Sequence, residues 1–316
     1  MKIRKILVPV DFSAYSDKAL EFALFWGEEF STELTLLHVN TLLHEHFEYE
    51  RMVQDCQGMV EQHEKHIHQW MEEHAHPKSG RKAQIHYEVV KGASAPNAIL
   101  NFIAGNKFDL VIMGTHGHTG LKHLFLGSVA EKVARLSPVP VLTVHRSVES
   151  YEIKKILVPV DFSDVSRPLV ENAIAIAQGF DAQVHLMHVL ERPTPTAFHW
   201  LVQEVEPYFE LDPEIRERIS KTMQSYVDES VRERVIEVIE TGRAYEAIID
   251  YARKNEIDLI VMSTRGFSKF DYFWLWGSTT ERVVRLAPCS VMTERSANMQ
   301  QLSEIVFAEE ADFDKV

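Results

Sequence analysis

The sequence predicts an α/β protein built from two tandem, doubly wound, five-stranded parallel sheets. Three observations carry that prediction. The chain repeats itself: IRKILVPVDFSAYS at residues 3–16 returns as IKKILVPVDFSDVS at 153–166, differing only at Arg4/Lys154, Ala14/Asp164 and Tyr15/Val165. Within each copy, short β-branched runs alternate with stretches of helical periodicity, the pattern of a parallel sheet covered by helices on both faces. At 316 residues the chain is too long for one average core and suits two domains of ordinary size.

In the first copy, IRKILVPV (3–10) is a strand ended by Pro and Asp. The next stretch, from Ser13 to Phe30, opens with an N-cap serine and carries Ala19, Leu20, Ala23 and Leu24 at helical spacing. LTLLHV (34–39) is a second, buried strand. Residues 46–76 read as a long polar helix and IHYEVV (85–90) as a third strand. APNAILNFIAG is a helix ending at Gly105. DLVIMG (109–114) is the fourth strand, GSVAEKVARL (127–136) a helix and PVLTV (140–144) the last strand. The second copy follows suit. LTLLHV aligns with VHLMHV (184–189), FDLVIMGTHG (108–117) with IDLIVMSTRG (257–266), and GSVAEKVARLSPVPVLT (127–143) with GSTTERVVRLAPCSVMT (277–293). A repeat this long is a duplicated domain, since a solenoid period is nearer about 20–50 residues. The polar stretch HRSVESYE (145–152) marks the join, giving domains over 1–147 and 152–296 and an acidic tail over 297–316.

Composition narrows the function. A chain with 45% apolar and 25% charged residues is globular in type. It contains no apolar run long enough to span a bilayer. The apolar run in MKIRKILVPVDFS is short and broken by Pro9 and Asp11, unlike a signal peptide. Cys56 and Cys289 lie far apart, which fits a reducing cytoplasm and gives no disulfide framework. A formal charge of −14 with no Lys/Arg run argues against a nucleic-acid partner, which needs a basic face to displace counterions. The acidic balance serves solubility.

The chemistry concentrates in MGTHGHTGLKHLFLGS (113–128). This loop follows the fourth strand and precedes a helix, so it lies at the carboxyl edge of the sheet, where α/β proteins bind ligands. Gly114 and Gly117 let the backbone turn sharply and approach a ligand closely. Ser128 opens a helix whose unpaired N–H groups and dipole favour an anion. The combination points to phosphate, with the rest of the ligand lying back towards the first strand. Asp11, at the end of that strand, is placed either to accept from a ligand or to cap the next helix with Ser13.

These residues resemble the universal stress protein family. The spacing G-x-x-G-x9-G-[ST], filled by Gly114, Gly117, Gly127 and Ser128, and LVPVD at the first strand carry the likeness, which covers nearly the whole sequence. The resemblance implies a Rossmann-like fold of the adenine-nucleotide alpha-hydrolase type in each half. It implies ATP as the cofactor, with Mg2+ as an optional companion. It assigns the adenine side to Asp11 and Val39, with Pro9 shaping the turn. It assigns the ribose and phosphates to Met113, Gly114, His116, Gly117, Gly127, Ser128 and Val129. By analogy with family dimers, the last strands, 140–144 and 290–294, are expected to pair the two halves as an internal pseudo-dimer. A homodimer of the whole protein and a protein partner are also allowed by the resemblance, though no residue derives them.

The second half departs from the pattern. Ser263 replaces the first glycine, and ten residues, FSKFDYFWLW, separate Gly266 from Gly277. A Cβ and a bulky aromatic loop there are expected to crowd a phosphate. Asp161, Val189, Gly277 and Ser278 are retained, and Arg265 could still meet a phosphate.

Other features have plainer readings. His63, His66, His68, His74 and His76 share one helical stretch, but no cysteine or carboxylate set at metal-ligand spacing accompanies them, so a solvated face is expected and no metal site. Cys289 reads as a buried core residue, the aromatic loop as a packing or partner surface. Three functions remain: an ATP-binding stress-response module with slow hydrolysis at most, an enzyme (an ATPase or nucleotidyl-transfer protein of related fold), and a nucleotide-independent scaffold or chaperone-like protein. No Walker lysine follows the glycines and no paired carboxylates for magnesium stand near them, which disfavours the enzyme. The intact glycine set of the first half disfavours the scaffold.

Overall fold

The computed structural model describes residues 3–41, 62, 64–75, 84–115, 126–145, 150–191, 212–264 and 278–295. The first half runs β1 (Lys5–Pro9), α1 (Ala14–Phe30), β2 (Glu33–Asn40), α2 (64–74), β3 (Gln84–Lys91), α3 (Ala95–Gly105), β4 (Leu110–Gly114), α4 (Ser128–Leu136) and β5 (Val141–Val144). The second runs β6 (Lys155–Pro159), α5 (Ser166–Phe180), β7 (Gln183–Leu190), α6 (Pro213–Gln224), a 3₁₀ turn (Glu229–Arg234), β8 (Val235–Thr241), α7 (Ala244–Lys254), β9 (Leu259–Ser263), α8 (Ser278–Leu286) and β10 (Ser290–Glu294). The long polar helix read over 46–76 is seen over 64–74, and the rest of that stretch lies outside the described residues.

Local chemistry sets these elements. Ser13 caps α1 by accepting from the Ser16 amide at 3.2 Å. At its other end Ser31 takes the left-handed conformation, φ 53°, and returns its N–H to the Gly27 carbonyl. Asp109 holds the start of β1 with one carboxylate oxygen, accepting from the Arg4 and Lys5 amides at 2.7 and 3.0 Å. Asp258 repeats the device on Lys154 and Lys155 at 2.8 and 2.9 Å.

All ten strands form one sheet in the order β3-β2-β1-β4-β5-β10-β9-β6-β7-β8. Each half is parallel within itself, and each has its change of winding direction beside its first strand, between β1 and β4 or between β6 and β9. The halves meet where β5 pairs antiparallel with β10, Leu142 opposite Met292. The expected pairing of the last strands is therefore the seam of the molecule. Its antiparallel sense has two consequences. The carboxyl edges of the two halves lie at opposite ends of the sheet. The exit of β5 and the entry of β6 lie at the same end, so a short connection suffices.

The seam is tied on both faces. On one, α1 and α5 meet through aromatic rings: Phe180 lies 4.8 Å from Phe30 and 5.2 Å from Trp26, centroid to centroid. The connection joins this face, since the Tyr151 hydroxyl bonds the Glu21 carboxylate and receives the Lys18 ammonium at 3.2 Å. The other face carries a reciprocal exchange. His145, just after β5, sets Nε2 3.2 Å from the Val284 carbonyl of α8. Arg295, just after β10, donates to the Leu136 carbonyl of α4 at 3.1 Å. Both residues reach a helix carboxyl end, where donors and positive charge are favoured.

Candidate functional site

In the first half the change of winding falls between the ends of β1 and β4. The turn after β1 is Val10-Asp11-Phe12-Ser13. Phe12 holds φ 63°, a left-handed conformation that an aromatic residue adopts only when its surroundings enforce it. The enforcement is visible. Phe12 stacks on His38 at 4.5 Å and takes the edge of Trp70 at 4.6 Å, so β2 and α2 clamp the ring. His38 sets Nδ1 2.9 Å from the Val10 carbonyl, which requires a proton on Nδ1 and fixes the ring over the turn. The bend leaves Asp11 half-exposed. Its Oδ1 accepts from the Ser13 amide at 3.1 Å, and among the described residues Oδ2 has no partner. One oxygen thus shapes the turn, and the other is left without a hydrogen-bond partner among the described residues.

The remaining expected residues line this edge. Pro9, Val39 and Met113 belong to the sheet face covered by α3 and α4, with Met113 buried and Val39 half-buried. At the end of β4, Thr115 is buried, and its carbonyl accepts from the Gly127 amide at 2.7 Å. The base of the glycine loop is therefore pinned shut. His116 and Gly117, between those anchors, lie outside the described residues. Gly127 directly precedes α4 and offers its amino end no capping group; Ser128 is exposed at the first position, with Val129 half-buried behind it. An uncapped helix amino end is a ready acceptor for negative charge.

At Gly114 the structure adds a packing reason for glycine. Its φ is not among the positive ones. A Cβ built there would lie 2.7 Å from both the carbonyl carbon and the carbonyl oxygen of Tyr15 in α1. The glycine is required by the close approach of the first turn of α1 to β4. Tyr15 was missed in the sequence because its partner lies a hundred residues away.

The second half shows what happens without that glycine. Ser263 fills the place of Gly114, and α5 begins at Ser166, whereas α1 begins at Ala14, the counterpart of Asp164. Pro168 is a sufficient cause. Its ring would collide with the Asp164 carbonyl, and its nitrogen could not donate to it, if the helix started earlier. The late start reroutes the polar groups. Ser163 no longer caps the helix; its hydroxyl donates to Asp161 Oδ1 at 2.6 Å, joined there by the Ser163 amide at 3.1 Å and the Ser166 hydroxyl at 3.1 Å. Thr280 donates to the Ser263 carbonyl at 2.8 Å, and Glu191 takes the Ala244 amide at the start of α7 at 2.9 Å. Phe162, φ 61°, stacks on His188 at 4.2 Å, so the turn itself is conserved between the halves. The aromatic loop, Gly266 and Gly277 lie outside the described residues; Ser278 opens α8 and Val189 lies in β7.

Of the histidines, His66, His68 and His74 lie on α2; His74 stacks on Trp70 at 4.1 Å, and His63 and His76 lie outside the described residues. Among the described residues no three His, Cys, Asp or Glu residues gather as a metal site. Cys289 is buried, and burial pushes its thiol up to about 12, an inert core position. Among the described residues no helix is long and apolar enough to cross a membrane.

Comparison with known proteins agrees with this architecture. The model of the universal stress protein family matches residues 2–145 and again residues 152–295. A universal stress protein of Methanocaldococcus jannaschii is 35% identical over 144 residues, covering 44% of this chain and 80% of that protein. The universal stress protein E homolog of Haemophilus influenzae aligns along 92% of this chain and 97% of its own length at 24% identity. Among solved structures, a universal stress protein of Archaeoglobus fulgidus superposes with a TM-score of 0.60 at 23% identity, covering 92% of this chain and 96% of that one. With the family matched once in each half, and a turn and strand order common to both, the chain belongs to the universal stress protein family.

Proposed function

We propose that the first half binds ATP or a related adenine nucleotide and that the protein works as a stress-response binding module in the cytoplasm, with hydrolysis slow at most. The observation that carries this reading is the presence, at the β1/β4 edge, of an Asp11 carboxylate oxygen with no partner and an amino end of α4 with no side-chain cap among the described residues. A base amine donates to the first, and a phosphate accepts from the second. Pro9, Val39 and Met113 supply an apolar floor between them, and His116, Gly117, Gly127, Ser128 and Val129 carry the loop expected around the phosphates. A universal stress protein has been solved in complex with cAMP, so an adenine nucleotide is a ligand that the family takes.

The second half is proposed to bind no nucleotide, or a different ligand. Its loop departs from the first-half spacing, with Ser263 in the place of Gly114 and ten residues, not nine, before the second glycine, and Asp161 Oδ1 receives three hydrogen bonds from its own turn where one is seen on Asp11 Oδ1. Mass spectrometry of the ligand released from the purified full-length protein tests the reading. An adenine nucleotide at up to one per protein molecule is expected. A protein that neither retains nor takes up ATP in titration would favour the nucleotide-independent scaffold.

A further inference from the structure

A chemical difference between the halves lies under α5, away from the ligand turn. Glu294 ends β10, the seam strand, and is 9% exposed. Its Oε2 accepts from the Asn172 amide of α5 at 2.9 Å. Its Oε1 is shut off from solvent and has no hydrogen-bond partner among the described residues. The repeat identifies what the first half does with the same space: Val144 stands for Glu294 and Phe22 for Asn172, both buried in an apolar core. The second half has thus replaced a hydrocarbon contact between helix and seam strand by a carboxyl–amide pair.

A buried carboxylate with one amide donor and one bare oxygen is poorly solvated, whereas a neutral carboxyl loses little there. Among the described residues, the partners that the packed elements set beside it are neutral. The α5 partner is the neutral Asn172, the register neighbour on β9 is the neutral Ser263, and β5 brings the apolar Val141 opposite Thr293. Burial pushes the Glu294 carboxyl up to about 7; the Asn172 amide opposes this, and the protein's α-amino group adds a smaller pull in the same sense as Asn172. Ionisation cannot be absorbed where the group sits. It favours states in which α5 lifts and the carboxylate meets water. The backbone of Glu294 links that event to the edge of the site, since its carbonyl receives the Thr264 amide, just past β9, at 2.9 Å.

We propose that the Glu294–Asn172 pair is a proton-operated fastener, closed when the carboxyl is neutral and released on ionisation, which makes the docking of α5 on the seam strand pH-sensitive in the second half alone. This is independent of nucleotide binding in the first half. For a carboxyl moved from its ordinary 4.5 to about 7, the opening equilibrium should rise about tenfold more between pH 6 and 8 than it would without the group.

Hydrogen exchange of the full-length protein, read by mass spectrometry and divided by intrinsic exchange rates, tests this at pH 6 and 8. Peptides from α5 and β10 should gain about tenfold in opening over that interval, relative to those from α1 and β5. Both Glu294→Gln, which keeps an amide-bonding shape, and Glu294→Val, the first-half solution, should abolish the difference. Equal pH dependence in wild type and Glu294→Gln overturns the proposal. Should either variant fold poorly, infrared titration of the wild type decides. A protonated carboxyl band persisting at pH 6 and lost by pH 8 supports the fastener, and its absence at pH 6 refutes it.

Discussion

Substituting Gly114 by alanine tests whether that glycine serves the packing of α1 or the ligand. The added Cβ would meet the Tyr15 carbonyl carbon and oxygen at 2.7 Å and its Cβ at 2.9 Å, against 3.4 Å for ordinary contact. Something must yield by about 0.7 Å. The obstacle is backbone in the first turn of a helix, so no rotamer change relieves it. Overpacking of this kind costs about 1–3 kcal/mol. Urea denaturation followed by circular dichroism should show the loss as a lower midpoint with little change in slope. The loss should come with weaker nucleotide binding, because the displaced turn carries Asp11 and Ser13. The paired control is Ser263→Gly. There α5 already starts late, no clash is relieved, and the change should stay within the roughly 0.5–1 kcal/mol that a glycine costs by backbone freedom. A folded Gly114→Ala protein within about 0.5 kcal/mol of wild type would refute the packing argument and return Gly114 to a purely ligand-facing role.

Two further outcomes follow from the seam and from a buried histidine. Phe180→Ala removes the ring that meets Phe25, Trp26 and Phe30 across the halves; as a half-buried residue it should cost about 2 kcal/mol. Fluorescence-detected unfolding should then separate from the circular dichroism transition as the halves uncouple, and coincident transitions would count against the aromatic seam. His185 donates or accepts at the Tyr251 hydroxyl through Nδ1 at 2.8 Å, while its Nε2 is buried without a partner among the described residues. Burial first, and the nearby Lys155 charge second, lower its pKa below the usual 6.5, so the folded state favours the neutral ring. The stability it permits is complete above the unfolded value and is lost as pH falls below 6.5 towards the folded one. His185→Thr, the residue found at position 35 of the first half, should flatten that acid limb in a denaturation series, and an unchanged limb would place the titration elsewhere.

Much of the fold is legible because its signals are local or repeated. The duplicated KILVPVDFS marks β1 and β6, Ser13 marks the start of α1, and the alternation of short apolar runs with helical stretches marks a parallel sheet. The strand order is not legible, since parallel strands of similar apolar character carry no record of their neighbours. The antiparallel seam came only through likeness to a family. The candidate site divides in the same way. Asp11 could be read both as cap and as ligand acceptor because both need the same residue type in the same place. Phe12 and His38 escaped notice, because nothing in the letter F announces a left-handed backbone that stacking on His38 and Trp70 enforces. Gly114 was noticed for its expected nearness to a ligand, and its close approach to Tyr15 was not. Pro168, by contrast, was available all along: a proline one turn into the second copy, where the first has Lys18, already forbids the earlier helix start.

The central proposal is that two halves of one design have diverged, the first binding one nucleotide at the β1/β4 edge and the second, with Ser263 and a longer loop in place of the first-half spacing, binding none. Titration calorimetry of the full-length protein with ATP tests it most directly. The account predicts a stoichiometry near one, abolished by substituting Gly117 and Ser128 and unaffected by substituting Gly277 and Ser278. Two equivalent sites, or one site that survives the first pair of substitutions and vanishes with the second, would contradict it.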